Sequence, residues 1–332
     1  MTIFDATATC IFHPVKVVFL DDNRAFLDAL ELEFSAQINM LTFTSPNEAL
    51  RALDNSGQNI TSSTFKLINN VNADTTTDRV IGFEINKLLN IIYDKARFNH
   101  APVLVVDYEM PDINGIEFCQ KLKNRDIFKI MLTAEADKDT AIKAFNNGVI
   151  DKFILKTSEN LFQELMLAVS EITQRYFKEM SRTMMNGYRG SVSLFDDELY
   201  QKLFNQVLLK TEAVEYYMVD NSGSFLFLDK YANPTWLIVR NNKELDEQLE
   251  LLQGYDVPDQ ILESVAKKEK ILFLLSEKEY KKPIGEWVKH MFDSKKLDKY
   301  YYNIVSGQLT DSIDWGRVVS YSAYVDEKNS MA

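Results

Sequence analysis

Four short apolar segments of this chain each stop at a polar or charged residue, and this pattern restricts the possible folds more than any other feature. Such runs are typical of buried parallel strands, and helical periodicities separate them. The alternation of strand and helix predicts a doubly wound α/β sheet. The runs and the residues that follow them are Val15 to Leu20 before Asp21 and Asp22, Pro102 to Val106 before Asp107, Ile130 to Leu132 before Thr133, and Phe153 to Leu155 before Lys156.

A fifth strand is predicted at Met40 to Phe43, and Ser45-Pro46 after it is typical of a helix start. Further helices are expected near 116–124 and 138–147. The first 157 residues are therefore predicted to form one domain around a five-stranded parallel sheet.

The polar residues at the strand ends indicate phosphoryl-transfer chemistry. Ligands of open α/β sheets bind at the carboxyl ends of the strands, so these side chains should converge. Carboxylates that crowd together repel one another unless a cation is present, and Mg²⁺ prefers oxygen ligands. Phosphoryl transfer to a carboxylate also needs a hydroxyl and a cationic side chain for the remaining charge. The predicted site has each of these groups.

The motifs around these residues resemble the receiver domain of two-component response regulators. The resemblance rests on four segments in the family's order, covering about half the chain: Phe19-Leu20-Asp21-Asp22-Asn23, Val105-Val106-Asp107-Tyr108-Glu109-Met110-Pro111-Asp112-Ile113-Asn114-Gly115, Leu132-Thr133-Ala134 and Phe153-Ile154-Leu155-Lys156. It implies a flavodoxin-like fold and phosphorylation of Asp107 by a histidine kinase or phosphotransfer protein.

The same resemblance implies a role for each residue of the site. Asp21, Asp22, Asp107 and the backbone carbonyl of Glu109 would hold Mg²⁺. Thr133 and Lys156 would contact the phosphoryl group. Phosphorylation would then draw in Thr133, and Phe153 would fill the vacated space and remodel the neighbouring face. Core packing is the alternative explanation for Phe153, because buried phenylalanine is common.

Two features depart from the family pattern. Asp22 and Asp107 are roughly forty residues further apart than usual, and residues 51–100 absorb the difference as an inserted or lengthened segment. We interpret it as a polar loop from Asn55 to Asp78 followed by a helix from Phe83 to Tyr93. Thr157 follows Lys156 where the family usually has proline, which leaves open whether that peptide bond is cis.

A long helix is predicted over residues 158–186, within a connector that spans 158–189. Apolar residues recur there every three or four positions, and Gly187 can end the helix. At about 40 Å for about 27 residues it is too long for one small domain to cover, so we interpret it as a connector or dimerisation helix. Two helices joined by a kink are the alternative.

Residues 190–332 are predicted to form an α+β output domain. A helix near 195–210 precedes an antiparallel meander of three strands, and a helix near 243–253 follows it. Cyclase, phosphodiesterase and helix-turn-helix signatures are absent from the sequence. The strands are expected at Val214 to Val219, Phe225 to Leu228 and Thr235 to Val239, and later at Ile271 to Leu275, Tyr300 to Val305 and Val318 to Tyr324.

Composition and charge restrict the classes of partner that the protein is expected to bind. The net charge is −12, and residues 190–332 carry 17 Lys and Arg against 24 Asp and Glu, so overall charge does not favour nucleic acid. Residues 267–299 nevertheless hold ten lysines, for which a solvated helical face is the simpler explanation. The cysteines and histidines have no metal-ligand spacing, and no secretion signal or spanning segment is visible, which predicts a cytoplasmic protein.

Three hypotheses compete for the output domain. The first is a binding module that dimerises on phosphorylation, the second a nucleic-acid-binding regulator that uses the lysines of 267–299, and the third an enzyme of unrecognised class. The architecture resembles quorum-sensing response regulators paired with α-hydroxyketone sensor kinases. We expect no enzyme activity beyond Mg²⁺-dependent phosphoryl acceptance and slow autodephosphorylation.

Overall fold

The computed structural model describes residues 8–35, 37–55, 65–69, 79–83, 88–186 and 192–331. The side chains of residues 55–87, 183–193, 329 and 331 are outside this description. Among the described residues, one compact unit comprises 13–55 and 95–180, and a second comprises 8–12, 65–94 and 181–331.

The strands are numbered along the chain. They are β1 (Ile11–Phe12), β2 (Lys16–Leu20), β3 (Asn39–Phe43), β4 (Phe65–Asn69), β5 (Arg79–Phe83), β6 (Val103–Asp107), β7 (Phe128–Thr133), β8 (Lys152–Leu155), β9 (Glu215–Met218), β10 (Phe225–Leu228), β11 (Pro234–Asn241), β12 (Lys270–Leu272), β13 (Met291–Asp293), β14 (Lys295–Leu297) and β15 (Tyr300–Ser306).

The helices are numbered in the same way. They are α1 (Arg24–Phe34), α2 (Pro46–Asn55), α3 (Gly115–Lys121), α4 (Lys138–Asn146), α5 (Leu161–Asn186), α6 (Val192–Phe195), α7 (Glu198–Lys210), α8 (Asn242–Gln253), α9 (Asp259–Ala266), α10 (Glu277–Tyr280), α11 (Ile284–Trp287) and α12 (Tyr321–Met331). Short 3-10 helices occupy Leu89–Tyr93, Lys95–Asn99, Glu135–Asp137, Val288–His290 and Trp315–Arg317.

The first unit is built on a parallel sheet with the strand order β3-β2-β6-β7-β8. All four neighbouring pairs run parallel. This is the flavodoxin-like order, in which the direction of winding reverses beside the first strand. The predicted five-stranded doubly wound sheet is confirmed.

Apolar side chains cover both faces of this sheet because successive strand residues point to opposite sides. Val17, Phe19 and Val105 pack with α1 and the first half of α5 on one face. Val18, Leu104 and Val106 belong to the core on the other face, together with residues of α2 and α3. Burial on both faces explains why every residue of β6 before Asp107 is apolar.

The segment between α2 and β6 differs from its predicted form. Strand β4 lies within the stretch interpreted as a polar loop and pairs antiparallel with β5, which directly follows that stretch. Where a helix was predicted from Phe83 to Tyr93, Phe83 ends β5 and Leu89–Tyr93 form a 3-10 helix, while residues 84–87 lie outside the described residues. The structure therefore corrects the two ends of the predicted helix, because apolar residues spaced by three or four suit a 3-10 turn and a strand end as well as an α-helix.

The second unit contains a six-stranded antiparallel sheet in the order β1-β9-β10-β11-β15-β14. The meander β9-β10-β11 confirms the three predicted strands, and β15 pairs along most of β11. Strand β1 was not predicted. Its two residues pair with Tyr216 and Tyr217, so an N-terminal segment assigned to the first domain contributes to this sheet.

Two further regions of the second unit correct the sequence analysis. Residues from Tyr321 onward form α12, although a strand was predicted from Val318 to Tyr324. The backbone N–H of Ala323 donates to the hydroxyl of Ser320 at 3.1 Å, and a serine there favours a helix start over a strand. The lysine-rich segment 267–299 is also no single helical face, since it includes short strands and the helices α10 and α11.

Helix α5 is one continuous helix of 26 residues, close to the predicted length. Leu161, Leu165, Ala168, Val169 and Ile172 belong to the core of the first unit, and the last six residues of the helix belong to the second unit. The predicted domain boundaries at 157 and 189 stay predictions.

Candidate functional site

The carboxyl end of the parallel sheet brings together the side chains that the motifs singled out. Asp21 directly follows β2, Asp107 ends β6, and Lys156 directly follows β8. The Nζ atom of Lys156 lies 2.7 Å from Oδ2 of Asp21 and 2.8 Å from Oδ2 of Asp107. Residues separated by up to 135 positions in the sequence therefore share one ion-pair network.

Three carboxylates meet at this point. Asp21, Asp22 and Asp107 each offer one oxygen, and the three oxygens lie within 4.8 Å of one another. Asp21 and Asp107 are buried, whereas Asp22 faces solvent. Lys156 alone does not balance three negative charges, so the cluster keeps an excess of negative charge and of oxygen ligands. This donor set fits a hard divalent cation such as Mg²⁺.

Burial and charge act in opposite directions on the two central groups. Burial raises the pKa of Asp107, and the neighbouring Asp21 raises it further, while hydrogen bonds from Lys156 and the backbone of Glu109 hold it back. Burial would lower the pKa of Lys156, but its hydrogen bonds to Asp107 and Asp21 outweigh that effect and raise it. Lys156 therefore remains a cation between the two carboxylates.

Local backbone contacts position the acidic residues. The N–H of Asn23 donates to Oδ1 of Asp21 at 2.9 Å, and the Asn23 side chain caps α1 by accepting from the N–H of Phe26. The first strand therefore passes into the helix with Asp21 held at the junction. The N–H of Lys156 donates to the carbonyl of Thr133 at 2.8 Å, which fixes the end of β8 beside β7.

Gly115 and Phe26 contribute to the site although no role was predicted for either. A Cβ atom on Gly115 would lie 2.4 Å from the carbonyl oxygen of Asp107, so only glycine permits this approach of α3 to β6. The ring of half-buried Phe26 lies 5.0 Å from Nζ of Lys156, a cation–π distance. Gly115 stood in the receiver motif, but its contact depends on the return of the chain after Asp107.

The remaining predicted residues lie near this cluster in different environments. Thr133 is fully buried at the end of β7, and its hydroxyl donates to the carbonyl of Ala134 at 3.3 Å. Phe153 is half-buried in β8 and packs against the core that contains Val106 and Met131. The side chain of Glu109 is exposed. No described peptide bond is cis, so the Lys156–Thr157 bond is trans.

Comparison with known proteins agrees with this arrangement. The model of the response regulator receiver domain family matches residues 85–169, which include Asp107, Thr133 and Lys156. No curated protein matches the chain. Within the described residues, no helix is both long enough and apolar enough to cross a membrane.

Among solved structures, the Legionella pneumophila response regulator LqsR is similar over nearly the whole chain. The sequence identity is 27%, the TM-score is 0.78, and the match covers 97% of this chain and 96% of that one. A response regulator receiver domain protein from Clostridium thermocellum matches with 18% identity and a TM-score of 0.32, covering 51% of this chain and 99% of the other. A Francisella response regulator receiver domain matches with 19% identity and a TM-score of 0.31, covering 48% and 98%.

The chain is therefore a two-component response regulator with a receiver domain, as the motifs predicted. A receiver domain implies a histidine kinase or phosphotransfer protein as its partner. The individual roles of Asp107, the acidic pair, Thr133, Lys156 and Phe153 remain predictions.

Proposed function

We propose that Asp107 accepts a phosphoryl group from a histidine kinase or phosphotransfer protein, with Mg²⁺ held by Asp21, Asp22, Asp107 and the backbone carbonyl of Glu109. The main support is the ammonium group of Lys156, which lies within 2.8 Å of carboxylate oxygens of both Asp21 and Asp107. Because Lys156 is one cation among three carboxylates, the site keeps negative charge that a divalent metal would neutralise. With the metal bound, the site would tolerate the added charge of a phosphoryl group.

The reaction transfers the phosphoryl group from its donor to the carboxylate of Asp107. A carboxylate oxygen of Asp107 forms a bond to phosphorus while the bond from phosphorus to the donor breaks, and the donor keeps the electron pair of that bond. Bound Mg²⁺ supplies positive charge to the phosphoryl oxygens. Lys156 is already oriented by Asp21, so it neutralises further charge without a large rearrangement.

The phosphorylated state would change the receiver through Thr133 and Phe153. The Thr133 hydroxyl now donates to a neighbouring carbonyl at 3.3 Å, a long hydrogen bond that a phosphoryl oxygen would replace with a charge-assisted one. Half-buried Phe153 would then move further inward, and the face formed by α4 and β8 would be remodelled. Hydrolysis of the aspartyl phosphate would be slow and would return the receiver to its first state.

Asp107→Asn tests the acceptor directly. The full chain is incubated with acetyl phosphate and Mg²⁺, and incorporation is measured by intact mass spectrometry. We expect the wild-type chain to gain one phosphoryl group and Asp107→Asn to gain none. Asp112→Asn is the matched control, because Asp112 is an exposed carboxylate in the turn after the same strand. Stoichiometric incorporation by Asp107→Asn would refute the assignment.

For the output domain, we favour a binding module that dimerises on phosphorylation and lacks enzyme activity of its own. The proposal includes a cytoplasmic location and an α-hydroxyketone sensor kinase as the partner, following the quorum-sensing regulators that the sequence resembles. Size-exclusion chromatography with light scattering tests dimerisation. The mass should double when beryllofluoride and Mg²⁺ are added, and an unchanged mass would contradict the dimer.

The nucleic-acid alternative is weakened by the environment of the lysines in 267–299. Seven of the ten have a carboxylate within salt-bridge distance, so little positive charge is left for phosphates. Salt-sensitive binding of DNA or RNA in either phosphorylation state would restore this alternative. The seven are Lys267, Lys268, Lys270, Lys281, Lys282, Lys289 and Lys299.

A further inference from the structure

A nearly buried arginine stands at one end of the antiparallel meander in the second unit. Arg240 is the penultimate residue of β11 and is only 8% exposed. It faces the loop between β9 and β10, where Asp220 and Ser224 contact its guanidinium group. Arginine is rarely buried to this extent unless its charge is compensated, so its contacts are informative.

All hydrogen bonds of this guanidinium to the described residues are made by one nitrogen. Nη1 donates to Oδ2 of Asp220 at 2.7 Å, to Oγ of Ser224 at 3.0 Å and to the carbonyl of Val239 at 2.6 Å. Nη1 has only two hydrogens for three acceptors. Among the described residues, neither Nε nor Nη2 has an acceptor, and neither of them is sealed from solvent.

The loop that orients Arg240 is itself rigid. Oδ1 of Asp220 accepts the backbone N–H groups of Ser222 and Ser224 at 3.0 and 2.9 Å, which leaves its second oxygen for Arg240. Ser224 is fully buried, and its hydroxyl also accepts from the N–H of Val239 at 3.0 Å. The guanidinium is therefore held in one orientation before any ligand arrives.

An aromatic ring lies beside the guanidinium group. The Phe273 ring lies 5.7 Å from the guanidinium carbon, and this ring is buried. Tyr280 is 45% exposed and packs against Trp287. Burial raises the pKa of the Tyr280 phenol, and the charges of Arg240 and Asp220 act on it in opposite directions.

We propose that Arg240 binds the oxyanion of a small ligand, a carboxylate or a phosphate, through its Nε and Nη2 edge. This edge presents two parallel N–H groups that match two oxygens of a carboxylate or phosphate. If Arg240 only formed a structural ion pair with Asp220, its positive charge would suffice, and an unbonded Nε and Nη2 edge would serve no purpose. The contacts made by Nη1 leave that edge available.

Isothermal titration calorimetry on the full chain tests the proposal. The probes are inorganic phosphate and benzoate, and EDTA excludes Mg²⁺ so that the carboxylate cluster of the receiver does not contribute. We expect at least one probe to bind the wild-type chain, and Arg240→Lys to weaken its binding at least tenfold. Lysine retains the positive charge beside Asp220, so the ion pair survives. It lacks the two parallel N–H groups of the guanidinium edge, so the oxyanion loses its paired hydrogen bonds.

Arg317→Lys is the matched control, because Arg317 is an exposed arginine of the same unit. It should bind the probe as the wild-type chain does, and both variants should retain the wild-type far-ultraviolet circular dichroism and melting temperature. The probe that binds more tightly shows whether the site favours a phosphate or a carboxylate. Failure of both probes to bind the wild-type chain, or equal binding by Arg240→Lys, would overturn the proposal.

Discussion

The two units bury carboxylates in different ways. In the first unit, buried Asp21 and Asp107 share one ammonium group, and the exposed Asp22 offers a third carboxylate beside them. In the second, buried Glu279 accepts hydrogen bonds from the N–H groups of Leu275 and Ser276 and from the hydroxyls of Thr310 and Ser312, which are all neutral donors of its own unit.

This difference separates a structural carboxylate from a reactive one. Both oxygens of Glu279 have donors, so its charge is compensated within the fold and nothing is left for a ligand. The receiver carboxylates also have donors, but three negative charges share the single ammonium group of Lys156, and the proposed metal and phosphoryl group would complete the site. Burial alone does not mark a functional acid, whereas incomplete compensation does.

Removing the compensated carboxylate should have the largest effect on stability. Glu279→Ala leaves two buried N–H groups and two hydroxyls without their acceptor, and we expect it to lower the free energy of unfolding of the second unit by about 3 kcal/mol. Urea unfolding followed by tryptophan fluorescence measures this, since all three tryptophans lie in that unit. Glu277→Ala, at an exposed position of the same helix, should change it by less than about 0.5 kcal/mol.

A buried histidine allows a pH test of the first unit. The pKa of His13 is lowered to about 3, mainly by burial and to a smaller extent by the charges of Arg97 and His100. Its Nε2 has no hydrogen-bond partner among the described residues. Because the folded pKa lies below the unfolded value of about 6.5, stability is complete above that pH and is lost as the pH falls toward 3.

We expect the loss to approach 1.4 kcal/mol per pH unit, at about pH 4 to 6. Hydrogen exchange of the amides in β6, followed by mass spectrometry, reports the free energy of unfolding in this unit. His13→Phe keeps an aromatic ring against Phe177 and should flatten the pH dependence, whereas His290→Gln in the second unit should leave it unchanged. An equal slope in His13→Phe would assign the pH dependence to other groups.

Gly115→Ala tests how tightly the receiver site is built. Its new Cβ would lie 2.4 Å from the carbonyl oxygen of Asp107, so the backbone must shift, at a cost of about 2 kcal/mol. Protection of β6 amides should fall and phosphoryl incorporation should slow. Gly285→Ala is the control, since a Cβ there meets no atom within 4 Å. Unchanged incorporation and protection in Gly115→Ala would show that the site accommodates the methyl group.

The smallest effect is expected from the exposed member of the acidic cluster. Asp22→Asn removes one charged ligand and should weaken Mg²⁺ binding by about tenfold, or about 1.4 kcal/mol. Calorimetric titration with Mg²⁺ measures this. Asp28→Asn removes an exposed charge from α1 and should leave the affinity unchanged. If both substitutions weaken binding equally, general surface charge and not ligation would explain the effect.

Much of the receiver was predictable because its signals are local. Four of the five strands of the parallel sheet contain a short apolar run that stops at a polar residue, so the sheet and the convergence of Asp21, Asp107 and Lys156 followed from the sequence. The approach of Gly115 to the Asp107 carbonyl did not follow, because a motif residue shows its spacing but not the distance of closest contact.

The second unit was less predictable because its pairings are remote. Ile11 pairs with Tyr217, more than two hundred positions later, and a strand of two residues has no detectable periodicity. The run from Val318 to Tyr324 is rich in β-branched and aromatic residues, yet the Ser320 cap and the tertiary context favour a helix there.

The sequence by itself determined the class of the protein and the residues of the proposed phosphoryl-transfer site, because strand ends and charged residues are local features of the chain. Only the tertiary structure decided which charges are compensated. Lys156 between Asp21 and Asp107, Glu279 with its four donors, and Arg240 with one edge free all depend on distances between residues far apart in sequence. Local propensity does not encode such distances, which arise from the packing of whole elements.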